Sequence, residues 1–204
     1  MSFPTLFARA LAPVAIVAAA ATPATAQSGD LAKVESHLSA VQSMTANFTQ
    51  TDARNRTSSG TLQMKRPGRI RFQYGGGDLL LVGNNGKLTM VDYQVGQKSS
   101  WDLNKTPLGL LLSPNPNIDR IARLMPSNDP RVVVVRARDS RRPEFGTLLL
   151  AFVRSPSAPG GLLLRGWTAI DAQNKRTTVK LDGQRYNVPI AATAFTYAEP
   201  RRRK

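Results

Sequence analysis

The chain contains no cysteine and only one histidine, His37. The missing thiol excludes disulfide staples, cysteine nucleophiles, thiolate metal sites and an N-terminal lipid anchor, which needs a sulfur to acylate. A lone histidine cannot form a cluster. Standing next to Leu38 on an expected helix, it is expected at the surface or boundary, without a catalytic role. Acids are scarce too: 13 Asp and Glu face 28 Lys and Arg. They are scattered without the spacing of a calcium loop. No G-x-S-x-G elbow, H-E-x-x-H pair, P-loop or dinucleotide glycine pattern occurs. Gly75-Gly76-Gly77 lacks the strand-to-helix setting and the lysine of a phosphate cradle, and turn chemistry accounts for Asp171 and Asp182 at expected strand ends. The chain is expected not to be an enzyme and to take no metal and no cofactor.

Long apolar runs are also lacking. The longest, Ala10 to Ala21, follows the single charge of Arg9 and ends in Thr22-Pro23 and the small triplet Ala24-Thr25-Ala26. This run is too short for a span of roughly 20 apolar residues and has the layout of a secretory signal. Cleavage after Ala26 is expected, leaving residues 27–204 as one domain exported to the periplasm. What the sequence has in excess is positive charge, a formal +15. Its clusters are Lys65-Arg66 with Arg69 and Arg71, then Arg136 to Arg142, then the tail Arg201 to Lys204. Export and the absence of any helix-turn-helix, zinc-finger or RNP pattern argue against nucleic acid. An anionic membrane surface, an acidic protein partner or plain solvated strand faces remain as readings.

Leu31, Val34, Leu38, Val41 and Met44 draw one apolar stripe, predicting an amphipathic helix over 29–44 capped by Asp30 or Ser28. From Thr45 the period falls to two, predicting strands at 46–53, 59–65, 69–74, 79–82, 88–93 and 97–101. Asn84-Asn85-Gly86 marks a hairpin. Leu108, Leu110, Leu111 and Leu112 then form an apolar knot, followed by Pro114 and Pro116. A short helix is expected from Asn117 or Asp119 through Ile118, Ile121, Ala122 and Leu124. Strands resume at 132–137, 148–153, 162–170, 177–181 and 193–197. One antiparallel sheet domain follows. Leu79 to Val82, Val132 to Val135 and Leu162 to Leu164 are apolar on both parities, as in strands covered on two sides or curved around something. An ordinary sheet-plus-helix core explains them equally well.

Gly60 to Tyr74 is the most telling stretch. Leu62 and Met64, then Ile70, Phe72 and Tyr74, share a greasy face opposite Gln63, Lys65, Arg69, Arg71 and Gln73. Arg66 falls on the greasy side, held extended before Pro67. A guanidinium there must find acceptors or snorkel to the rim.

The order of these features resembles the periplasmic outer-membrane lipoprotein carriers of the LolA type. It runs from the helix into Met44-Thr45-Ala46-Asn47-Phe48-Thr49-Gln50, through Gly60-x-Leu62, Lys65-Arg66-Pro67-Gly68-Arg69 and Asn85-Gly86. Asp171, Arg176-Thr177-Thr178, Asn187-x-Pro189-Ile190, Phe195-Thr196-Tyr197 and Pro200 complete it. The resemblance implies a strongly curved antiparallel sheet, an unclosed β-barrel, with helices covering the concave face. It implies a hydrophobic cavity for lipoprotein acyl chains lined by Phe48, Leu62, Met64, Ile70, Phe72 and Met90. Arg66 is implied as the latch that hydrogen-bonds lid backbone, with Leu108, Leu110, Leu111 and Leu112 in the lid. The implied partners are an inner-membrane lipoprotein-releasing transporter and an outer-membrane acceptor, with no nucleic acid and the carrier a monomer. Ile70 and Met90 stand where many members have aromatics, and Phe72 where tryptophan is frequent. A carrier or sensor of other amphiphilic lipids, or a basic envelope-binding module with a solid core, are the alternatives.

Overall fold

The computed structural model describes residues 24–113, 118 and 120–201, with residues 24–28 and 110 as backbone only. The apolar N-terminal run, Pro114, Pro116, Asn117, Asp119 and the last three basic residues lie outside these. An N-terminal helix, α1 (Ala24–Ala40), leads into six strands: β1 (Ser43–Thr51), β2 (Thr57–Lys65), β3 (Arg69–Tyr74), β4 (Leu79–Asn84), β5 (Lys87–Asp92) and β6 (Gln97–Asp102). A 3-10 turn (Leu103–Lys105) and a short helix, α2 (Leu108–Leu112), interrupt. Then follow β7 (Ala122–Met125), β8 (Val132–Ala137), β9 (Thr147–Arg154), β10 (Leu162–Ile170) and β11 (Arg176–Tyr186). All eleven join one antiparallel sheet in the order β6-β5-β4-β3-β2-β1-β11-β10-β9-β8-β7, and its two edges do not pair.

The sheet is strongly bent. Phe72 on β3 and Trp167 on β10 lie four strands apart, about 19 Å across a flat sheet. Their rings nonetheless meet edge-on with centroids 6.2 Å apart. The greasy parities of β1, β2, β3, β9, β10 and β11 thus face one another inside the bend, and α1 and α2 cover that side.

Several expectations need correction. The helix ends at Ala40, so Met44 is a β1 residue whose backbone pairs with Met64 and Tyr186. Asp30 caps nothing. It lies within α1 and accepts two bonds of 2.6 Å from Arg154 Nη1 and Nη2 at the end of β9. Ala122 to Leu124, expected in a helix, are in β7, the far edge strand. The expected last strand is a 3-10 turn, Ala192–Phe195. Asp182 lies inside β11 opposite Asn47, not at a strand end.

That last segment explains the doubly apolar β4. Leu80, Val82 and Val91, on the convex side, are buried with Ile190 and Phe195 from the C-terminal segment. The basic outer face of the β2–β3 hairpin fastens this cover. Lys65 Nζ donates to Ile190 O at 2.8 Å, and Arg71 Nη1 donates to Thr196 O at 2.9 Å. Asn84 Nδ2 donates to Phe195 O, and Tyr93 Oη donates to Ala198 O. Lys65 and Arg71 are thus half-buried and engaged with backbone carbonyls, where plain solvated strand faces were one expectation. Phe195→Ala is therefore expected to cost about 3–5 kcal/mol, read as a lowered denaturation midpoint.

Candidate functional site

Arg66 follows β2 as the first residue of the turn toward β3, not held in the strand end as expected. Its backbone N–H donates to Gln42 O at 2.9 Å, tying it to the α1–β1 connection. The side chain runs inward and is only 6% exposed. Nε and Nη2 donate to one acceptor, the carbonyl of Leu111 in α2, at 3.2 and 2.9 Å. Nη1 is buried and finds no acceptor among the described residues. Burial pulls the guanidinium down to about 10, so it stays charged at neutral pH. Two residues on, Gly68 N–H donates to Leu112 O at 3.0 Å. The rim of the sheet therefore holds the last turn of α2 by its orphan carbonyls, which a helix this short leaves unpaired.

The stem of α2 is built locally. Asp102 caps the 3-10 turn by accepting from Asn104 N–H at 2.9 Å, and Leu103 N–H donates to Gly86 O in the β4–β5 turn. Gly109 permits the tight return, because a β-carbon there would lie 2.9 Å from Leu103 O. Leu111 and Leu112 are buried, Leu108 is half-buried against the core, and the Leu110 side chain lies outside the description.

Beneath this cover lie Phe48, Leu62, Met64, Ile70 and Phe72, all buried on the inner face. Phe48 stands edge-on to Phe72 and to Tyr74, each at 5.1 Å. These five expected residues are together. Met90 is on the same side, opposite Leu81, but near the open β6 edge, and is 38% exposed. It lies outside the packed group because β6 carries no buried residue to shelter it. Trp167 belongs to the group, although its parity did not reveal it. A register shift between Leu164 and Gly166 turns the rest of β10 over.

The interior is not empty. Its walls touch across the bend and water reaches almost none of them. In place of the expected hydrophobic cavity under its lid, the described residues form a closed, self-filled interior. A cleft of about 880 Å³ lies at the mouth. Pro67, Gly68, Leu103, Gly109, Leu112 and Ser113 of the rim and lid line it, with Arg142 and Phe145 across from them.

The second cover, α1, is pinned by His37, which is buried at 1% exposure and not at the surface as expected. Its ring stands edge-on to Phe152 and Tyr186, and Nδ1–H donates to Pro159 O at 2.8 Å. Gly160 lets the loop approach, since a β-carbon there would come within 2.6 Å of His37 N. Burial pushes the imidazole below its usual 6.5, outweighing the favourable carbonyls of Pro159 and Leu162, and the Arg66 charge adds to the lowering. The fold therefore favours neutral His37. Its contribution to stability is complete above about pH 6.5 and is lost as the pH falls toward the lowered value. The denaturant midpoint should drop over that acid range in the natural protein and flatten in His37→Gln.

Among the described residues, no three His, Asp or Glu stand together as metal ligands, and no helix is long and apolar enough to cross a membrane. No curated protein sequence matches the chain closely enough to count as a relative. Among solved structures, a LolA superfamily protein of Nitrosomonas europaea is similar at 11% identity and TM-score 0.45, covering 82% of this chain and 97% of that one. MucB is similar at 12% identity and TM-score 0.45, covering 86% of this chain and 64% of that one. The sequence profile of the family described as outer membrane lipoprotein carrier protein LolA matches residues 39–198, from the end of α1 to the C-terminal segment. With most of its length matched, and with a bent, unclosed sheet lidded on its greasy side, the chain belongs to the LolA family of periplasmic carriers.

Proposed function

We propose that this protein is exported, loses residues 1–26, and shuttles lipoproteins from the inner to the outer membrane by sheltering their acyl chains on the inner face of the sheet. The observation that carries this reading is the fastening of α2 over that face by Arg66 and Gly68. One methylene is worth roughly 0.8 kcal/mol, so a long acyl chain in water costs on the order of 10 kcal/mol and must be covered. A self-filled interior hides the same grease when no cargo is present. Loading then means that acyl chains displace α2 and take its place in the core that holds Phe48, Leu62, Met64, Ile70 and Phe72.

Release must remain possible, and the fastening suits that. Among the described residues Arg66 has one acceptor and an unpartnered nitrogen, so it closes the lid without locking it. Inner-membrane transporter and outer-membrane acceptor are the partners this cycle requires. Adding the purified protein to spheroplasts tests the reading. Acylated lipoproteins should appear in the soluble fraction, bound to the protein. Free lipids alone in the complex, identified by mass spectrometry, would make it a carrier of other amphiphiles instead. No bound lipid of either kind would contradict the reading.

A further inference from the structure

The convex side of the sheet is treated differently at its two ends. Over β4 and β5 its apolar residues are buried under the C-terminal segment. Over β8, β9 and β10 a matching apolar row has no such cover among the described residues. Val132 and Val134 on β8, Leu149, Ala151 and Val153 on β9, and Leu163 on β10 point outward, since Val133, Val135, Leu150, Phe152 and Leu164 between them are buried inside. All six are only half-buried.

A shallow groove of about 410 Å³ crosses this row, with Val134, Leu149 and Ala151 in one wall and Arg165, Thr178 and Lys180 in the other. The β10 register shift opens it. Gly166, with φ +148, has no room for a β-carbon, which would strike Val179 O, so the strand is bare of side chain there. The charge around the row is predominantly positive. Arg136, Arg165, Arg176 and Lys180 face outward and are exposed, and none takes part in an ion pair among the described residues. Asp182 is the one acid on this part of the outer face among the described residues.

We infer that the convex face of β8 to β11 docks the protein on an anionic bilayer, with aliphatic side chains entering the headgroup layer and the cations meeting lipid phosphates. Small aliphatics in a smooth row, without an exposed aromatic anchor, suit a fluid apolar layer better than a protein pocket. Long cationic side chains at the margin reach phosphates while their stems stay on apolar surface. This inference goes beyond the carrier reading and does not depend on it, because the face is opposite the lidded side and is present without cargo.

Flotation of the cargo-free protein with vesicles tests it. Binding is expected to vesicles containing phosphatidylglycerol, to weaken with salt, and to be absent with phosphatidylcholine alone. Arg165→Gln with Lys180→Gln should weaken it roughly twenty-five-fold, about fivefold for each cation. Leu149→Ser, a half-exposed change that leaves the core intact, should weaken it as well. Lys87→Gln with Lys105→Gln, which removes equal charge elsewhere, should leave it within twofold. Four results would overturn the inference: no binding to the anionic vesicles, equal binding to the neutral ones, equal loss in both charge pairs, or a dimer in light scattering that Leu149→Ser abolishes.

Discussion

Arg66→Leu is expected to take up acylated cargo as the natural protein does and to release it at least about tenfold more slowly. Two effects point the same way. In the closed form the Leu111 carbonyl loses its only side-chain donor among the described residues, and an unsatisfied buried acceptor costs roughly 1–3 kcal/mol. With the lid open, that carbonyl meets water and the cost vanishes. In the loaded form, leucine removes a guanidinium that would otherwise be held against acyl chains, a further stabilisation of the state with cargo. Replacing a poorly satisfied buried cation by an apolar side chain can leave the closed form itself nearly as stable. The loaded form gains regardless, so retention is the firmer expectation. Transfer of labelled lipoprotein from the preformed complex to outer-membrane vesicles measures it, and transfer at the natural rate would show that Arg66 does not govern closure.

A disulfide across the lid is expected to abolish loading. The chain has no cysteine of its own, so Gly68→Cys with Leu112→Cys introduces one unambiguous bridge. The hydrogen bond of 3.0 Å between Gly68 N and Leu112 O brings these backbones near the Cα separation of about 4.4–6.8 Å that a disulfide needs. A β-carbon at Gly68 meets nothing within 4 Å, so the rim and α2 must draw slightly together for the sulfurs to join, and its φ of +65 costs a non-glycine residue about 1–2 kcal/mol. Oxidised protein should take up no lipoprotein, and a reductant should restore uptake to the level of the single variants. Undiminished uptake by the oxidised form would mean that cargo enters by a route other than the α2 lid.

Much of this was legible in the residues because strand periodicity is a local signal. The Leu62–Met64 and Ile70–Phe72 parities identified one face of a hairpin, and the outlying Arg66 on that face stood out by its charge. What escaped was tertiary. Trp167 faces inward only because the backbone slips a register at Gly166, which no alternation pattern records. Met90 has the right parity but too few neighbours, since β6 is an exposed edge. Ala122 to Leu124 are too few to show a period, and pairing with β8 decides that they are a strand. The grease on both sides of β4 did announce a second cover, but its identity as the C-terminal segment rests on contacts more than 100 residues distant in sequence. His37 gave no sign of burial, because the loop that closes over it, Pro159 to Gly161, belongs to a remote connection.

The central claim is that acyl chains occupy the face of the sheet that is closed when no cargo is present. A photoreactive residue placed at Phe72, and separately at Thr61 on the exposed outer face of the adjacent strand, tests it most directly. With lipoprotein labelled in its acyl chains, illumination should give an adduct at position 72 and none at 61. Labelling at 61, or a bound lipoprotein that leaves 72 untouched, would contradict the account.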